Sequence, residues 1–407
     1  MVRCQHRVKP TKSSYPISYT LLIDIVMSVT LFVGSCGYGS PDPKHVVRMR
    51  FSLDDGSFSC METTPTEGGN PGWVKVVDND SSLCYIGMED EKGTVQAYSI
   101  AENTVNDDGP ATLSPLGSAV SSCGRNPCYV EVCGKFVLAA NYSSGSVCVL
   151  PIKEDGSLGP ATDSKGMTGG ELINPKLHDR QEMCHSHCII PNSVYTKWVA
   201  VCDLGLSTVF IYELDQERGC LIGASDDPRH MKLDEDAGCR HAVWSADGTR
   251  LYLNNELNHT ITVGKFDPVS GSLVSIHTIP SLPIAVEGSR GHNVGNSDIN
   301  LHPNQKFLYA AMRSPNPGLI GVWAIQDDDS LELIQHISTG GHIPRNFKII
   351  SAANRPNAAC WLVVGNQETM KVVSFSIDNA TGKLTERSSI STHPYKPCNI
   401  SCFKGSR

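Results

Sequence analysis

The chain has 407 residues, of which 40% are hydrophobic and 19% charged, a composition typical of globular and not of disordered proteins. A formal net charge of -8 argues against the basic surface that a nucleic-acid partner would need. The sixteen cysteines follow no regular pairing distance, and several lie inside apolar segments, so we expect mostly free thiols and a reducing, cytoplasmic location.

The N-terminal segment is ambiguous. Its basic residues precede the first acidic residue, Asp24, and an apolar stretch runs from Ile17 to Val33. Asp24 interrupts that stretch, and its second half is needed as a strand, whereas a membrane span requires about 20 mostly apolar residues. We therefore predict an N-terminal extension of residues 1–27 before a single domain of residues 28–407. A targeting peptide is the alternative, and a membrane anchor is disfavoured.

One sequence pattern recurs seven times along the rest of the chain. An apolar run is followed by a small or polar pair, a Gly or Ser turn and a second apolar run, as in FVLAANYSSGSVCVL, which begins at Phe136. The equivalent marker positions, roughly 52 to 62 residues apart, are Cys36, Glu89, Asn141, Asp203, Asn255, Arg313 and Gln367. Seven copies at a four-strand period predict an all-β fold: a seven-bladed β-propeller with four-stranded antiparallel blades.

The two ends of the chain predict how the ring closes. Residues 29–35 have the pattern of a second strand but no inner strand precedes them, and PCNISCF, which begins at Pro397, has the pattern of an inner strand. Pairing of these two segments would complete the first blade and remove the open edges. We expect longer loops at residues 61–72, 103–121, 159–180 and 281–295.

Polar and titratable residues occur where inner strands begin and second strands end. In a four-stranded meander these two points lie on the same face, so we expect the side chains to converge around the channel and form the candidate site. The inner-strand positions include Arg180, His185, His187, Arg240, His241, Asp298 and Arg345. The second-strand positions include Glu89, Asn141, Asp203, Asn255, Glu256, Arg313 and Gln367.

Six separated motifs occur in a characteristic order: RQEMCHSHC, VCDLG, GCRHAVW, NNEL, TGGHIPRNF and GNQE. Over residues 28–407 the chain resembles the seven-bladed propeller lactonases, a family that includes 6-phosphogluconolactonases and carboxy-cis,cis-muconate cyclase. The resemblance implies that His187, Arg240 and Glu256 are catalytic, with Arg313 as a second cation. Two positions depart from the family pattern. Cys239 stands where relatives usually have Pro, and Arg313 lies in the sequence AMRS where relatives more often have Asn-Arg-Gly.

The same residues suit lactone hydrolysis, which needs a base for the attacking water and cations for the oxyanion. Either His187 or Glu256 can be the base, and Arg240 can bind the oxyanion or an anionic substituent. Further substrate-binding candidates are Arg313, Arg345, His185, Arg180 and Gln367. The resemblance implies 6-phosphoglucono-δ-lactone as the substrate and a role in the pentose phosphate pathway. We expect no cofactor, no metal, no nucleic acid and no membrane partner, and the oligomeric state stays open.

Two other functions remain open from the sequence. A muconate cyclase, which is a lactone-forming isomerase, would place the arginines on carboxylates and use His or Glu to move a proton at carbon. The third interpretation is a propeller that binds a partner and has no enzymatic activity, because fold does not determine function. The charged composition of the expected site disfavours it, since protein-binding faces usually expose aromatic anchors.

Several candidate residues also have purely structural interpretations. A zinc site on Cys184, His185, His187 and Cys188 is disfavoured, because an extended strand places the two His and the two Cys on opposite faces. A divalent ion on Glu256 or Asp298 is also disfavoured. We expect His241 to pack, and Asp203 and Asn255 to cap turns. Arg240 and Glu256 have the alternative of a structural ion pair, and neither Cys202 nor Cys239 has an obvious base that would make it a nucleophile.

Overall fold

The structure, a computed structural model, describes residues 27–35, 44–77, 82–102, 109–167, 180–223, 227, 229–282, 295–313, 317–351 and 359–405. These residues form seven antiparallel sheets, each a meander of four strands except for one sheet that gains a short fifth strand. The first strand of each sheet contacts the first strands of both neighbouring sheets, and these contacts close a ring. The prediction of a seven-bladed β-propeller is confirmed.

The strands are grouped here by blade, from the inner to the outer strand. Blade 1 is β29 (Pro397–Phe403), β1 (Ser28–Ser35), β2 (His45–Ser52) and β3 (Phe58–Pro65). Blade 2 is β4 (Pro71–Val76), β5 (Leu83–Met88), β6 (Thr94–Ala101) and β7 (Thr112–Ser121). Blade 3 is β8 (Pro127–Cys133), β9 (Phe136–Asn141), β10 (Ser146–Pro151) and β11 (Asp163–Gly166). Blade 4 is β12 (Ser186–Pro191), β13 (Trp198–Asp203), β14 (Thr208–Asp215), β15 (Cys220–Ile222) and β16 (Met231–Lys232).

The remaining three blades each have four strands. Blade 5 is β17 (Cys239–Trp244), β18 (Arg250–Asn255), β19 (Thr260–Phe266) and β20 (Leu273–Pro280). Blade 6 is β21 (Asn296–Leu301), β22 (Phe307–Met312), β23 (Leu319–Ile325) and β24 (Leu331–Ser338). Blade 7 is β25 (Pro344–Ser351), β26 (Cys360–Asn366), β27 (Lys371–Ile377) and β28 (Leu384–Ser391). Among the described residues, no helix has the length and apolarity that crossing a membrane requires.

The ring closes through blade 1, as its terminal sequences predict. Strand β29 pairs antiparallel with β1, with Leu31 opposite Cys402 and Val33 opposite Ile400. Both strands are largely buried, because they pack between the strands of blades 7 and 2. Residues 1–26, the greater part of the predicted N-terminal extension, lie outside the described residues.

The sequence pattern predicted four strands in each blade but not where the outermost strand of several blades lies. Three of the expected loops, at residues 61–72, 103–121 and 159–180, contain strand residues of β3, β7 and β11. These strands have mostly exposed or half-buried residues, whereas all six residues of the second strand β9 are buried. Because burial selects an apolar pattern only in the strands nearer the channel, the outermost strands resemble loops in sequence. Most of the fourth expected loop, at 281–295, is outside the described residues.

Buried tryptophans pack at the interfaces between blades, as expected for residues inside strands. Trp361 is 4% exposed, and its indole N–H donates to the backbone oxygen of Leu53 in the next blade at 3.0 Å. Gly56 has φ +77°, and a Cβ at this position would lie 2.3 Å from the Trp361 ring. The turn therefore requires glycine both for its backbone conformation and for the space that the indole occupies.

A β-bulge interrupts the pairing of every inner strand after its first residue. The extra residues at this position are Gly72, Cys128, His187, Arg240, Ser297, Arg345 and Cys398. We call these seven residues the bulge ring. The next residues along the inner strands, which we call the second ring, are Trp73, Tyr129, Cys188, His241, Asp298, Asn346 and Asn399. Bulges redirect side chains and are over-represented beside active sites, so the bulge ring is where function is expected.

The channel continues beyond the second ring toward the other end of the inner strands. A cavity of about 520 Å³ lies there, and Trp73, Tyr129 and Asp298 of the second ring form part of its wall. Its remaining lining includes an ion pair between Lys75 and Glu131, whose charged atoms are 2.7 Å apart. The second ring therefore lies between the bulge ring and this cavity.

Candidate active site

Three arginines from three blades converge on one buried carboxylate. Glu256 follows β18, and its oxygens lie 2.6 Å from Arg180, 3.0 Å from Arg240 and 2.7 Å from Arg313. Arg180 lies before β12, Arg240 is the bulge residue of β17 and Arg313 follows β22. We call these four residues the arginine cluster. Three positive charges against one negative charge leave an excess of two positive charges.

The hydrogen bonds of the arginine cluster are incomplete. Arg180 donates from Nη2 to Glu256 Oε1, whereas Arg240 Nε and Arg313 Nη2 approach Oε2 at ion-pair distance without the angle of a hydrogen bond. Arg240 also donates to the backbone oxygen of Ser297, and Arg313 to that of Asn296 at 3.1 Å. Among the described residues, Arg313 Nε has no hydrogen-bond acceptor, and Arg240 Nε faces Glu256 Oε2 at 3.0 Å without the angle of a hydrogen bond. Buried N–H donors without acceptors suit the binding of an oxyanion.

The charges of the cluster determine its protonation states. Burial alone would raise the pKa of Glu256, but Arg313, Arg180 and Arg240 outweigh it and hold that pKa well below its usual range. Burial lowers the pKa of Arg313 to about 10, which still leaves it cationic at neutral pH. Glu256 is therefore an ionised carboxylate that holds three arginines together. A carboxylate whose pKa is held this low is a weak base.

His187, the other candidate base, is the bulge residue of β12 and is buried. Its Nδ1 lies 3.7 Å from the Cys128 sulfur, and its ring meets those of Tyr142 and His241 edge-on, with centroid distances of 5.4 and 5.2 Å. Burial, with Arg240 and His241, holds the His187 pKa well below its usual 6.5, so the imidazole is neutral at neutral pH. Burial also raises the pKa of the Cys128 thiol, which therefore stays protonated and is no activated nucleophile.

Tyr142 and His185 form the side of the site next to Arg180. The rings of Tyr142 and His185 stack with centroids 4.4 Å apart, and Arg180 Nε donates to the tyrosine hydroxyl at 3.4 Å. His185 contacts the Tyr142 backbone oxygen through Nδ1 and Glu182 through Nε2. The sequence interpretation did not select Tyr142, although it follows the marker residue Asn141. That adjacency was the signal that could have identified it.

Arg345, another predicted binding residue, occupies the bulge of β25 and pairs with a different carboxylate. Its Nη2 lies 3.4 Å from Glu89 Oε1. Glu89 in turn fills the space above Gly72, where a Cβ would lie 2.3 Å from Oε2. Gln367 hydrogen-bonds to Glu368 at 3.5 Å, and no described contact joins it to the arginine cluster. The structure therefore places Arg345 in the bulge ring and Gln367 outside the cluster.

The remaining polar candidates have structural contacts. Asp203 accepts hydrogen bonds from the backbone N–H groups of His185 and Leu206, both at 3.0 Å, and so caps its turn. Asn255 donates to the hydroxyls of two threonines on β19. His241 is buried as expected, between Trp73 and Tyr129, but it also contacts Arg240 and Asp298.

Cysteine and metal chemistry find no support among the described side chains. Cys202 and Cys239 are fully buried, and Cys239 donates to the backbone oxygens of Asp203 and Thr208. Hydrogen bonds with Cys188 and Cys239, together with burial, raise the pKa of Cys202. Within the described ranges, no three His, Cys, Asp or Glu side chains are grouped so that they could hold a metal ion.

Comparison with known proteins gives consistent matches over most of the chain. The family model described as "Lactonase, 7-bladed beta-propeller" matches residues 30–398. A 6-phosphogluconolactonase of Bacillus subtilis is 30% identical over 334 residues, which cover 81% of this chain and 86% of that protein.

Two solved structures show the same architecture. A putative 6-phosphogluconolactonase from Bacteroides fragilis is 27% identical with a TM-score of 0.76, and the match covers 92% of this chain and 98% of that one. The periplasmic gluconolactonase of Pseudomonas aeruginosa is 23% identical with a TM-score of 0.77, covering 92% of this chain and 99% of that one. At this identity the second match supports the fold alone.

Proposed function

The chain belongs to the family of seven-bladed β-propeller lactonases, and we propose that its substrate is 6-phosphoglucono-δ-lactone, which it hydrolyses to 6-phosphogluconate. The similarity to the Bacillus subtilis 6-phosphogluconolactonase supports this choice among lactones. A cytoplasmic location and a role in the pentose phosphate pathway are parts of the same proposal.

The observation that carries the proposal is the positive excess of the arginine cluster. Glu256 neutralises one of three arginines, and the buried Nε donor of Arg313 has no acceptor among the described residues. Guanidinium groups bind phosphate and carboxylate oxygens through paired N–H donors. The cluster is therefore suited to an anionic substrate and to the negative charge that develops when an ester carbonyl is attacked.

The proposed mechanism divides these tasks among the residues. Neutral His187 takes a proton as a water oxygen bonds to the lactone carbonyl carbon, and Arg240 stabilises the oxyanion that forms. The ring C–O bond then breaks, and His187 returns the proton to the leaving oxygen. Such a base contributes about 10²–10⁴ in rate and one oxyanion donor about 10²–10³.

The other residues of the site bind the substrate or orient the side chains that do. Glu256 holds Arg180, Arg240 and Arg313 within 3.0 Å of its oxygens. Arg180 keeps 20% of its side chain exposed, the largest exposure in the cluster, and is placed to bind the phosphate of an incoming substrate. Tyr142 accepts a hydrogen bond from Arg180 and orients its guanidinium.

The experiment compares hydrolysis of freshly generated 6-phosphoglucono-δ-lactone with that of glucono-δ-lactone, each with and without a chelator. We expect fast turnover of the phosphorylated lactone, slower turnover of the other and no effect of the chelator. Rates equal to spontaneous opening for both lactones would contradict the proposal. Conversion of a carboxymuconate to its lactone would then identify an isomerase, and inactivity there too would indicate a binding propeller.

A further inference from the structure

His241, the second-ring residue of β17, is held by a carboxylate from the next blade. Its Nδ1 lies 2.8 Å from Asp298 Oδ1, and both side chains are almost completely buried. The other oxygen of Asp298 accepts hydrogen bonds from Asn346 Nδ2 at 2.7 Å and from the Phe347 backbone N–H at 3.1 Å. Because the carboxylate is the acceptor, Nδ1 of His241 carries the proton, and Asp298 fixes both the tautomer and the orientation of the ring.

The oriented ring of His241 supports Arg240, the bulge residue immediately before it. Arg240 Nη1 lies 3.0 Å from Nε2 and 3.3 Å from Nδ1 of His241. Because the two distances are nearly equal, the guanidinium lies across the ring and not at the lone pair of one nitrogen. A cation is attracted to the face of a neutral ring, whereas a protonated imidazole would repel it.

The same ring also contacts the proposed base. The His241 and His187 centroids are 5.2 Å apart in an edge-on arrangement, and Trp73 and Tyr129 meet His241 edge-on at 5.4 and 5.3 Å. These contacts hold the His241 ring in place. The ring touches both the base and the oxyanion donor of the proposed reaction. No other residue of the second ring has described contacts with both Arg240 and His187.

We propose that His241 and Asp298 form a positioning pair, which holds the Arg240 guanidinium and the His187 ring in the relative arrangement that lactone opening requires. This inference rests on the proposed hydrolase function. Bulge residues lack the regular backbone pairing of the strand, so their side chains need contacts with the adjacent second ring to keep their positions. A displacement of about 1 Å in a catalytic group can cost about 10²-fold in rate.

The charged and titratable groups around His241 are Arg240 and His187 from the bulge ring, Asp298 from the neighbouring inner strand β21, Tyr129 from the inner strand β8, and Arg345 farther away. Burial, followed by Arg240, lowers the pKa of His241 to about 4. His241 is therefore neutral at neutral pH, as a ring that supports a guanidinium must be.

Two substitutions test separately the hydrogen bond of His241 to Asp298 and the contact of the His241 ring with Arg240. His241→Asn keeps an N–H donor near the position of Nδ1 for Asp298 but removes the ring beneath Arg240. His241→Phe keeps a ring but removes the donor, so that the Asp298 carboxylate competes with Glu256 for Arg240. We expect each variant to lower kcat on 6-phosphoglucono-δ-lactone by about 10²-fold while KM changes by only about threefold.

The matched control is His302→Phe in blade 6. His302 is also a buried histidine that packs against two aromatic rings, but its contacts are with Phe307, Tyr309 and Asn379, away from the arginine cluster. Its substitution is expected to leave kcat at the parent value. Thermal unfolding of all the variants separates loss of fold from loss of positioning.

A second readout does not depend on activity. Arg240 and His241 both lower the His187 pKa, so displacement of Arg240 in His241→Asn should raise that pKa, as measured by ¹⁵N NMR of labelled histidine against pH. An inactive parent protein whose His187 pKa rises in the variant would refute the proposed function but not the arrangement.

An active parent, with folded His241→Asn and His241→Phe variants that keep its kcat and its His187 titration, would overturn the positioning role. If His241→Asn does not fold, His241→Phe decides: a shape-conserving substitution lowers kcat under the proposal, and leaves it unchanged if His241 is only a packing residue.

Discussion

The bulge ring and the second ring consist of adjacent residues on the same inner strands, yet they have different chemistry. The bulge ring contains His187, Arg240 and Arg345. Arg240 pairs with Glu256 of its own blade, whereas Arg345 pairs with Glu89 and His187 packs against His241 of other blades. Second-ring side chains bind the backbone of the next inner strand, pair with each other or pack against each other, and His241 also contacts Arg240 and His187 of the bulge ring. The comparison shows that one displaced residue per strand separates a chemical layer from a supporting layer.

The second ring itself differs between the two sides of the channel. On one side, Asp298 accepts from the Phe347 N–H at 3.1 Å, Asn346 from the Ile400 N–H and Asn399 from the Val74 N–H, both at 2.8 Å. On the other side, Trp73 and Tyr129 have ring centroids 4.1 Å apart, and His241 packs against both. The polar side connects the blades that flank the closure, and the aromatic side supports His187 and Arg240.

The largest expected effect comes from removing the charge at the centre of the site. Glu256→Gln leaves the buried Arg240 and Arg313 and the half-buried Arg180 without a counter-charge, so we expect a loss of about 3–5 kcal/mol of unfolding free energy, measured by urea denaturation. The depressed pKa of Glu256 gives stability that is fully present above its usual pKa of 4.5 and is lost as pH falls through the lower folded value. Acid should therefore destabilise the parent more than the variant. Equal unfolding free energies would show that the cluster is not a stabilising unit.

The next effect tests whether the bulge ring acts through geometry or through charge alone. Arg240→Lys keeps the positive charge but loses the planar fork, so we expect kcat to fall by about 10²-fold or more. Arg250→Lys is the matched control, because Arg250 pairs with Asp329 at 2.7 Å far from the site. A lysine variant with parental kcat would mean that charge alone is sufficient at position 240.

Second-ring residues other than the His241 and Asp298 pair should affect stability more than activity. Asn399→Ala leaves the buried Val74 N–H without its acceptor, so we expect a loss of about 1–3 kcal/mol in unfolding free energy and kcat close to the parent value. Denaturation and initial rates measured on the same preparation check both parts. A large loss of kcat in a stable Asn399→Ala protein would remove the distinction between the bulge ring and this part of the second ring.

The smallest expected effect is in the pH profile of the parent. Neutral His187 is the active form of the proposed base, and its pKa lies below 6.5, so activity should fall only as the pH drops through that lower value. The measurement is kcat/KM against pH, corrected for spontaneous lactone opening. An acid limb above pH 6.5 would assign the essential ionisation to another group.

The sequence was sufficient for the architecture because its pattern reflects burial. The repeat predicted the seven blades, and the inner-strand character of PCNISCF predicted the pairing of β29 with β1. A fourth strand was expected in every blade, but three of these strands lie in segments expected to be loops, because their exposed residues impose no apolar alternation. Residues 1–26 and much of the loop at 281–295 lie outside the described residues, so those predictions stay open.

The convergence of the candidate side chains was predictable from their positions in the blades, but their partners were not. Arg240 and Glu256 were predicted to be close, whereas the contacts of Glu256 with Arg180 and of Arg345 with Glu89 join residues that are distant in sequence. The bulges were not predicted either, because one extra residue hardly changes the apolar pattern. One local signal was present: proline occupies the first position of four inner strands, as Pro71, Pro127, Pro344 and Pro397, and Cys239 occupies the same position in β17.

The most direct test of the account is the rate of 6-phosphoglucono-δ-lactone hydrolysis by the parent and by His187→Gln, at equal concentrations of folded protein. We expect the substitution to lower kcat by a factor of about 10²–10⁴ without changing the unfolding free energy by more than about 1 kcal/mol. A His187→Gln protein with a rate within a few-fold of the parent would contradict the assignment of chemistry to the bulge ring.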